Sequence, residues 1–277
     1  MPELPEVETV VRGLAQALTG KRLERLELRR RDLRSAFPAD LAQRLEGHRV
    51  ARFSRRAKYI LMHMEGGGVM IAHLGMSGRL IIAAPGKAPP REKHDHAIFH
   101  FEGGTELRFN DARRFGLLDY AEERHLADHP RFKGLGPEPL GNAFNGPVLA
   151  EALKGKKTTI KAALLDQRVV AGLGNIYACE ALFGAGVSPR RLAGSVQGER
   201  AERLAVAIRD VLTRAVAAGG SSLRDYVQAS GELGYFQHHW AVYGKEGEKC
   251  PGCDCRSAIR RIVQGGRSTF YCAKRQR

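Results

Sequence analysis

The sequence predicts an α+β, multidomain chain: a β domain with a leading helix, then a helical domain, then a small C-terminal module built on cysteines. Three observations carry that expectation. Short apolar runs of β character, separated by glycine turns, fill the stretch from about residue 21 to 118. Beyond about residue 146 the apolar spacing becomes helical. Four of the five cysteines fall within the last 28 residues, among arginines and glycines. At 277 residues the chain suits two domains better than one.

The elements follow in order. Val7, Val10, Val11, Leu14 and Leu18 recur at helical spacing and Gly20 supplies a stop. KYILMHM (58–64), VMIAHL (69–74) and AIFHF (97–101) read as strands, with turns at Gly66-Gly67-Gly68 and Gly103-Gly104, which suggests a β-sandwich or barrel-like domain. The Pro/Gly-rich LGPEPL (135–140) reads as the connection out of it. KAALLDQRVV (161–170) and NIYACEALFGAG (175–186) are two helical runs joined through Ala171-Gly172-Leu173-Gly174. Leu204, Ile208, Val211, Leu212 and Ala215 mark a longer amphipathic helix ended by Gly219-Gly220. From Val242 the pattern is that of a short hairpin. The expected divisions are 1–135, a linker at 136–150, 151–241 and 242–277.

Charge narrows the function. Lys and Arg number 45 against 30 Asp and Glu, a net charge of +15 with a pI near 10.0. Such an excess favours a polyanion, because each cation docked on a phosphate releases a condensed counterion. A ribosome-associated or merely solubilising surface is the bland alternative. No window approaches the roughly 18 apolar residues of a membrane span, and the start has no signal-peptide pattern. The clustered cysteines fit a metal site better than a secreted disulfide framework. A cytosolic or nucleoid protein bound to nucleic acid is therefore expected, and a monomer is taken as its state.

Several constellations carry chemistry. Cys250, Cys253 and Cys255 cluster in CPGCDC, and Cys272 follows the β-type stretch RRIVQGGRSTFY. Two facing thiolate knuckles make a tetrahedral zinc site, yet the second knuckle reads CAKR, with Arg275 where a cysteine belongs. Either all three cysteines of the first knuckle join Cys272, or the hairpin is zinc-less. Residues 245–277 carry nine basic and three acidic side chains, which suits phosphate contact. The glycine turn before Asn175 offers backbone N–H groups to a phosphate, with Lys154, Lys156, Lys157 and Lys161 just upstream; alternatively it is a plain helical hairpin. HLGMSG (73–78) holds Met76 between glycines, and NDARRFG (110–116) sets Phe115 beside Arg113 and Arg114. Met76 and Phe115 are either local core plugs or wedges for a base stack. His94-Asp95-His96 suggests a metal pair less readily than a loop histidine donating to phosphate. The opening MPELPEVETV crowds two prolines and three glutamates into eight residues, one proline more than a helix start needs.

PELPEVET, RRAKY (55–59), HLGMSG, RRFG, LGPEPL, GLGNIYACEALF and GRSTFYC, in that order from Pro2 to Cys272, resemble the formamidopyrimidine-DNA glycosylase family. The resemblance implies a two-layered β-sandwich, a helix–two-turns–helix domain and a zinc-ribbon-like β-hairpin, with DNA held in the cleft between domains. It implies base-excision repair of 8-oxoguanine and formamidopyrimidines in duplex DNA, with AP lyase activity. By the same resemblance Pro2, freed by loss of Met1, is the nucleophile and Glu3 the general acid. Lys58 is the proton donor of β-elimination, and Arg267 serves δ-elimination and grips phosphate. His94, Arg113, Lys157 and Asn175 contact DNA, while Met76, Arg113 and Phe115 fill the gap left by the extruded base. The stretch from Ser221 to Tyr226 corresponds to a mobile loop, and Glu6 belongs to the start motif, with a structural role open. The related endonuclease VIII branch, which prefers oxidised pyrimidines, is less well matched. One Zn2+ per chain is implied. The gap from Cys255 to Cys272 matches the family's, which pairs Cys250 with Cys255 and leaves Cys253 as a spare thiol able to replace the missing ligand.

Overall fold

Helix α1 (Leu4–Leu18) starts where the sequence supplies a cap and a proline. Glu3 enters in extended backbone, its N–H donates to Glu6 Oε2 at 2.9 Å, and Pro5 occupies the first turn, where no N–H is needed. Leu4, Val7, Val10, Val11, Leu14 and Leu18 are all buried along one face. Burying each such side chain is worth about 1.5–3 kcal/mol, so the helix start is held firmly. The helix ends at Thr19, and Gly20 turns the chain with φ +83°.

The computed structural model describes residues 1–221, 235–253 and 258–277. The chain divides into two units, residues 1–133 with 218–235 and residues 134–217 with 236–277.

The first unit is a two-layered β-sandwich. One antiparallel sheet has the order β1-β6-β7-β5, from β1 (Leu23–Leu28), β6 (Asp95–Phe101), β7 (Thr105–Asn110) and β5 (Arg79–Ala83). The other has the order β2-β3-β4-β8, from β2 (Val50–Arg56), β3 (Tyr59–Met64), β4 (Gly68–His73) and β8 (Leu117–Glu122). Ile60, Met62 and Met64 of β3 alternate into the same core as Ala97, Phe99 and Phe101 of β6. The apolar face of α1 and the short helix α2 (Leu41–Leu45) close that core.

The second unit is helical, with α3 (Gly146–Leu153), α4 (Ile160–Leu165), α5 (Asn175–Gly184) and α6 (Glu199–Ala217), followed by the hairpin of β9 (Arg260–Gln264) and β10 (Arg267–Tyr271). Every residue of α5 from Ile176 to Phe183 is buried, which marks it as the central helix. Glu180 is buried there too; its carboxylate accepts the backbone N–H groups of Ala241, Val242 and Tyr243 at 2.7–2.9 Å. That fastens the chain leading to the hairpin onto α5. The helical run expected over 161–170 stops at Leu165. The Gln167 amide donates to the carbonyls of Leu165 and Leu173 and accepts from the N–H of Gly172, which replaces a further helical turn by a loop.

Candidate functional site

In the first unit the α1 start gathers Pro2, Glu3 and Glu6, all buried. Glu6 joins two segments of chain. Its Oε2 accepts the Glu3 N–H, and its Oε1 accepts the N–H of Ser221 at 2.8 Å. The carboxylate thus clamps residues 2–3 from one side and the chain after α6 from the other. Of the loop expected over 221–226, Ser221 forms a bridge with Tyr235, and residues 222–226 lie outside the described residues.

Lys58 is buried in the two-residue turn between β2 and β3, beside Ala57 with φ 51°. Arg55 holds that turn, donating to Glu8 Oε2 of α1 at 3.0 Å and to the Ala57 carbonyl at 2.9 Å. An ion pair with so little exposure ties the lysine-bearing turn to the helix that carries Pro2. Neither Glu8 nor Arg55 is singled out by the sequence; the one signal is their placement in PELPEVET and RRAKY.

His73 stands close by. Burial first, then the charges of Lys58, Arg34 and Arg131, push it down to about 4. Its Nδ1 accepts the Gly75 N–H at 2.9 Å and its ring packs on Tyr59, as suits a neutral imidazole. The folded value lies below the unfolded one near 6.5, so the stability His73 contributes is complete above about pH 6.5 and is lost as pH falls towards 4. A His73→Gln chain is therefore expected to lose less stability than the wild type between pH 7 and pH 5 in urea titrations. Equal losses in both would remove His73 as the source.

The Met76 and Arg113–Phe115 loops are locked to each other. Gly75 has φ +59°, and a Cβ there would sit 2.3 Å from the Phe115 carbonyl carbon, so only glycine admits this approach. Asp111, fully buried, is the common fastener. Its Oδ1 accepts the Ser77 hydroxyl at 2.6 Å and the Arg113 N–H at 3.3 Å, and its Oδ2 accepts the Gly116 N–H at 2.7 Å. Its own carbonyl pairs with the His96 ring and its N–H with the His94 carbonyl. Phe115 is left 44% exposed with the Arg113 guanidinium over its ring at 5.1 Å, the reverse of a core plug. Sequence reasoning missed Asp111; its signal is an aspartate opening the turn D-A-R-R, which caps N–H groups further on.

His94 lines a basic cavity of about 420 Å³ with Arg29, Arg30, Lys93 and Arg114. Asp95 is spent on Asn110 and on the Glu92 N–H, and His96 on the Asp111 carbonyl. With Asp95 and His96 engaged in those bonds, the stretch 94–96 does not form a metal pair, although all three residues border the cavity.

In the second unit Lys157 is exposed in the turn before α4. Asn175 begins α5, and its amide donates to the Ser268 carbonyl at 3.0 Å and to the Tyr243 hydroxyl at 3.3 Å. The helix start and the hairpin strand that opens with Arg267 are thus joined directly. Arg267 follows the Gly265-Gly266 turn, pairs with Gln264 across it, and is exposed.

Cys250, Cys253 and Cys272 bring their sulfurs within 4.8 Å of one another, with 3.5 Å from Cys250 to Cys253 and 3.8 Å from Cys253 to Cys272. Tetrahedral zinc with bonds of about 2.3 Å needs sulfurs about 3.8 Å apart, so three thiolates fit the ion. Among the described residues Cys253 stands in the cluster, where a thiol replacing the missing ligand would stand; Cys255 lies outside the described residues. Among the described residues no helix is long and apolar enough to cross a membrane.

The model of the formamidopyrimidine-DNA glycosylase N-terminal domain matches residues 1–118, and that of the family's H2TH domain matches residues 135–227. The chain is 57% identical to the formamidopyrimidine-DNA glycosylase of Rhodospirillum centenum and 53% identical to that of Ruegeria pomeroyi, each over the full length of both proteins. Among solved structures it resembles the MutM (Fpg) protein of Thermus thermophilus, with a TM-score of 0.87 and 42% identity over 99% of this chain and 98% of that one. It also resembles Lactococcus lactis Fpg in complex with DNA containing N7-benzyl-Fapy-dG, with a TM-score of 0.90 and 34% identity over 99% of both. Fold, site and relatives together define a base-excision repair DNA glycosylase of the helix–two-turns–helix class. The chain belongs to the formamidopyrimidine-DNA glycosylase family.

Proposed function

We propose that this chain excises 8-oxoguanine and formamidopyrimidines from duplex DNA and then cleaves the strand by β,δ-elimination, using Pro2 as the nucleophile. The observation that carries the reading is the clamped, buried start of α1, where Glu6 fixes Pro2 and Glu3.

Removal of Met1 turns Pro2 into a secondary α-amine. An α-amino group titrates near 8 against about 10.4 for lysine, so far more of it carries a lone pair at pH 7. Attack on C1′ of the damaged nucleotide forms the N–C1′ bond and releases the base. Glu3 gives a proton as the sugar ring opens. The resulting iminium is positive without a proton of its own and draws electrons from the C2′–H bond. Loss of that proton expels the 3′ phosphate; a second elimination expels the 5′ phosphate. Lys58 serves the first elimination as proton donor, and Arg267 serves the second while holding phosphate.

His94, Lys157 and the backbone at the start of α5 are assigned to phosphates, His94 within its basic cavity. Met76, Arg113 and Phe115 are assigned to the space left by the extruded base. The exposed Phe115 ring and the Asp111 fastening support wedges over plugs, and with them the purine branch over the pyrimidine one. Zinc is the metal that three thiolates at this spacing suit best; held by Cys250, Cys253 and Cys272, it supplies a cross-link for the hairpin. The clustering of Cys250, Cys253 and Cys272 as metal ligands rather than disulfides suits a cytosolic or nucleoid setting.

Borohydride trapping tests the reading. Incubated with an 8-oxoguanine duplex, the protein is expected to yield a covalent adduct, faster than with a thymine glycol duplex. No adduct on either duplex sinks the lyase; a faster reaction with thymine glycol transfers the chain to the pyrimidine branch.

A further inference from the structure

We propose that Arg275 is a positioning residue that stands in mechanically for a fourth thiolate, stapling the 250–253 knuckle and the terminal turn to α5, so that the β9–β10 hairpin keeps its fold whether or not a metal sits on the cysteines. This goes beyond the proposed activity and does not depend on it.

The backbone at 275 already has the form of a metal knuckle. Arg275 lies three residues after Cys272, and its N–H points at Cys272 Sγ at 3.5 Å. The side chain does something a cysteine has no reach to do. Nη1 donates to the Gly252 carbonyl at 2.6 Å and Nε donates to the Phe183 carbonyl at 3.3 Å. The guanidinium also lies over the Phe183 ring at 5.0 Å. Phe183 is in the last turn of α5, where a cation is favoured; its carbonyl accepts the Gly186 N–H at 3.1 Å and the Arg275 side chain as a second donor.

Two further observations show how tightly the parts are joined. A Cβ on Gly252 would lie 2.9 Å from Phe183 Cζ and 3.1 Å from Arg275 Cδ and Cζ, so the knuckle is pressed directly onto ring and guanidinium. Gln276, buried beside Arg275, accepts the Cys272 N–H with Oε1 at 2.8 Å and donates through Nε2 to the Val187 carbonyl at 3.0 Å. The terminal turn is thus anchored to the segment after α5 independently of sulfur. The charge has a sense as well: three thiolates around a divalent ion would leave one negative charge, and the guanidinium is fixed on the same knuckle at the Gly252 carbonyl.

Hydrogen–deuterium exchange on the full chain, read in peptides covering β9 and β10, tests the staple with and without a strong zinc chelator; peptides of α6 give the internal reference. Wild-type hairpin amides are expected to change less than about threefold on chelation, whereas in Arg275→Ala they exchange about tenfold faster or more once metal is withdrawn. Gly252→Ala, which wedges the knuckle off the ring, is expected to reproduce that sensitivity. Arg275→Cys is expected to release zinc to a chromogenic chelator more slowly than wild type. If Arg275→Ala fails to accumulate as folded protein, Arg275→Gln supplies the weaker staple, with an intermediate exchange rate expected. A wild-type hairpin that loses its protection on chelation as completely as the Arg275→Ala hairpin overturns the proposal, as does an Arg275→Ala hairpin as well protected as the wild type.

Discussion

A Pro2→Gly chain is expected to trap on an 8-oxoguanine duplex about a hundredfold more slowly than the wild type, with strand cleavage falling in parallel. The substitution leaves an α-amine of similar basicity, so the loss is one of geometry and of electronic form. The pyrrolidine ring removes a rotational freedom at the nitrogen. Displacing a reacting atom by about 1 Å costs on the order of a hundredfold. Glycine is a primary amine and forms a neutral imine, which must hold an extra proton to act as an electron sink, whereas the proline iminium is charged already. Fold and affinity are expected to survive, because Glu3 supplies the capping N–H and Leu4 begins the buried stripe. A Glu3→Gln chain, equal in shape, is the natural companion; its loss of a positioned proton donor is expected to cost about 10²–10⁴-fold in ring opening. Unchanged trapping by Pro2→Gly at matched DNA affinity transfers the nucleophile to another amine.

The two ends of the chain differ in what secures them. Pro2 and Glu3 are fixed by one carboxylate, Glu6, which joins the helix start to Ser221. Arg267 is fixed through the neighbouring Ser268 carbonyl, which Asn175 holds from the first residue of α5, and through a hairpin whose approach Glu180 fastens to the same helix. Both depend on single buried polar groups, whose removal leaves several N–H donors without partners.

Much of this was legible in the sequence because it is local. Alternation at Ile60, Met62 and Met64 announces a strand with one face in a core, and paired glycines announce the hairpins. The roles assigned to Pro2, Glu3 and Lys58 rest on the family resemblance of the start motif and the RRAKY turn. The strand order β1-β6-β7-β5 was not legible, since pairing of distant strands depends on the packing of whole layers. Strand β1, LERLEL, is too charged to stand out. The early stop of α4 depends on the Gln167 amide, which no propensity records. That Cys253 meets Cys250 and Cys272 is a matter of knuckle shape, which spacing does not record. Asp111 escaped because Ser77, its shortest partner, lies 34 residues away in sequence.

Asp111 yields the most discriminating expectation. Replacing it by alanine removes the acceptor for the Ser77 hydroxyl and the Gly116 N–H and leaves the Arg113 N–H with Ser77 Oγ alone, which loosens two loops at once. Hydrogen bonds to a charged group are worth about 1.5–3 kcal/mol each, so a tenfold to hundredfold loss of a function that needs the loops in place is a conservative expectation. On the proposed reading that function is holding a base out of the stack, which has a cost only when a base is present. Excision of 8-oxoguanine by Asp111→Ala is therefore expected to fall about tenfold to hundredfold. Cleavage of a preformed abasic site, where there is nothing to unstack, is expected to stay within a few-fold of wild type. Asp111→Asn keeps one acceptor oxygen and is expected to fall between the two. Equal losses on both substrates, accompanied by a lowered unfolding temperature, reduce Asp111 to a stabilising residue. Unequal losses at an unchanged unfolding temperature make it the part of the site that holds the Met76 and Phe115 wedges over the duplex.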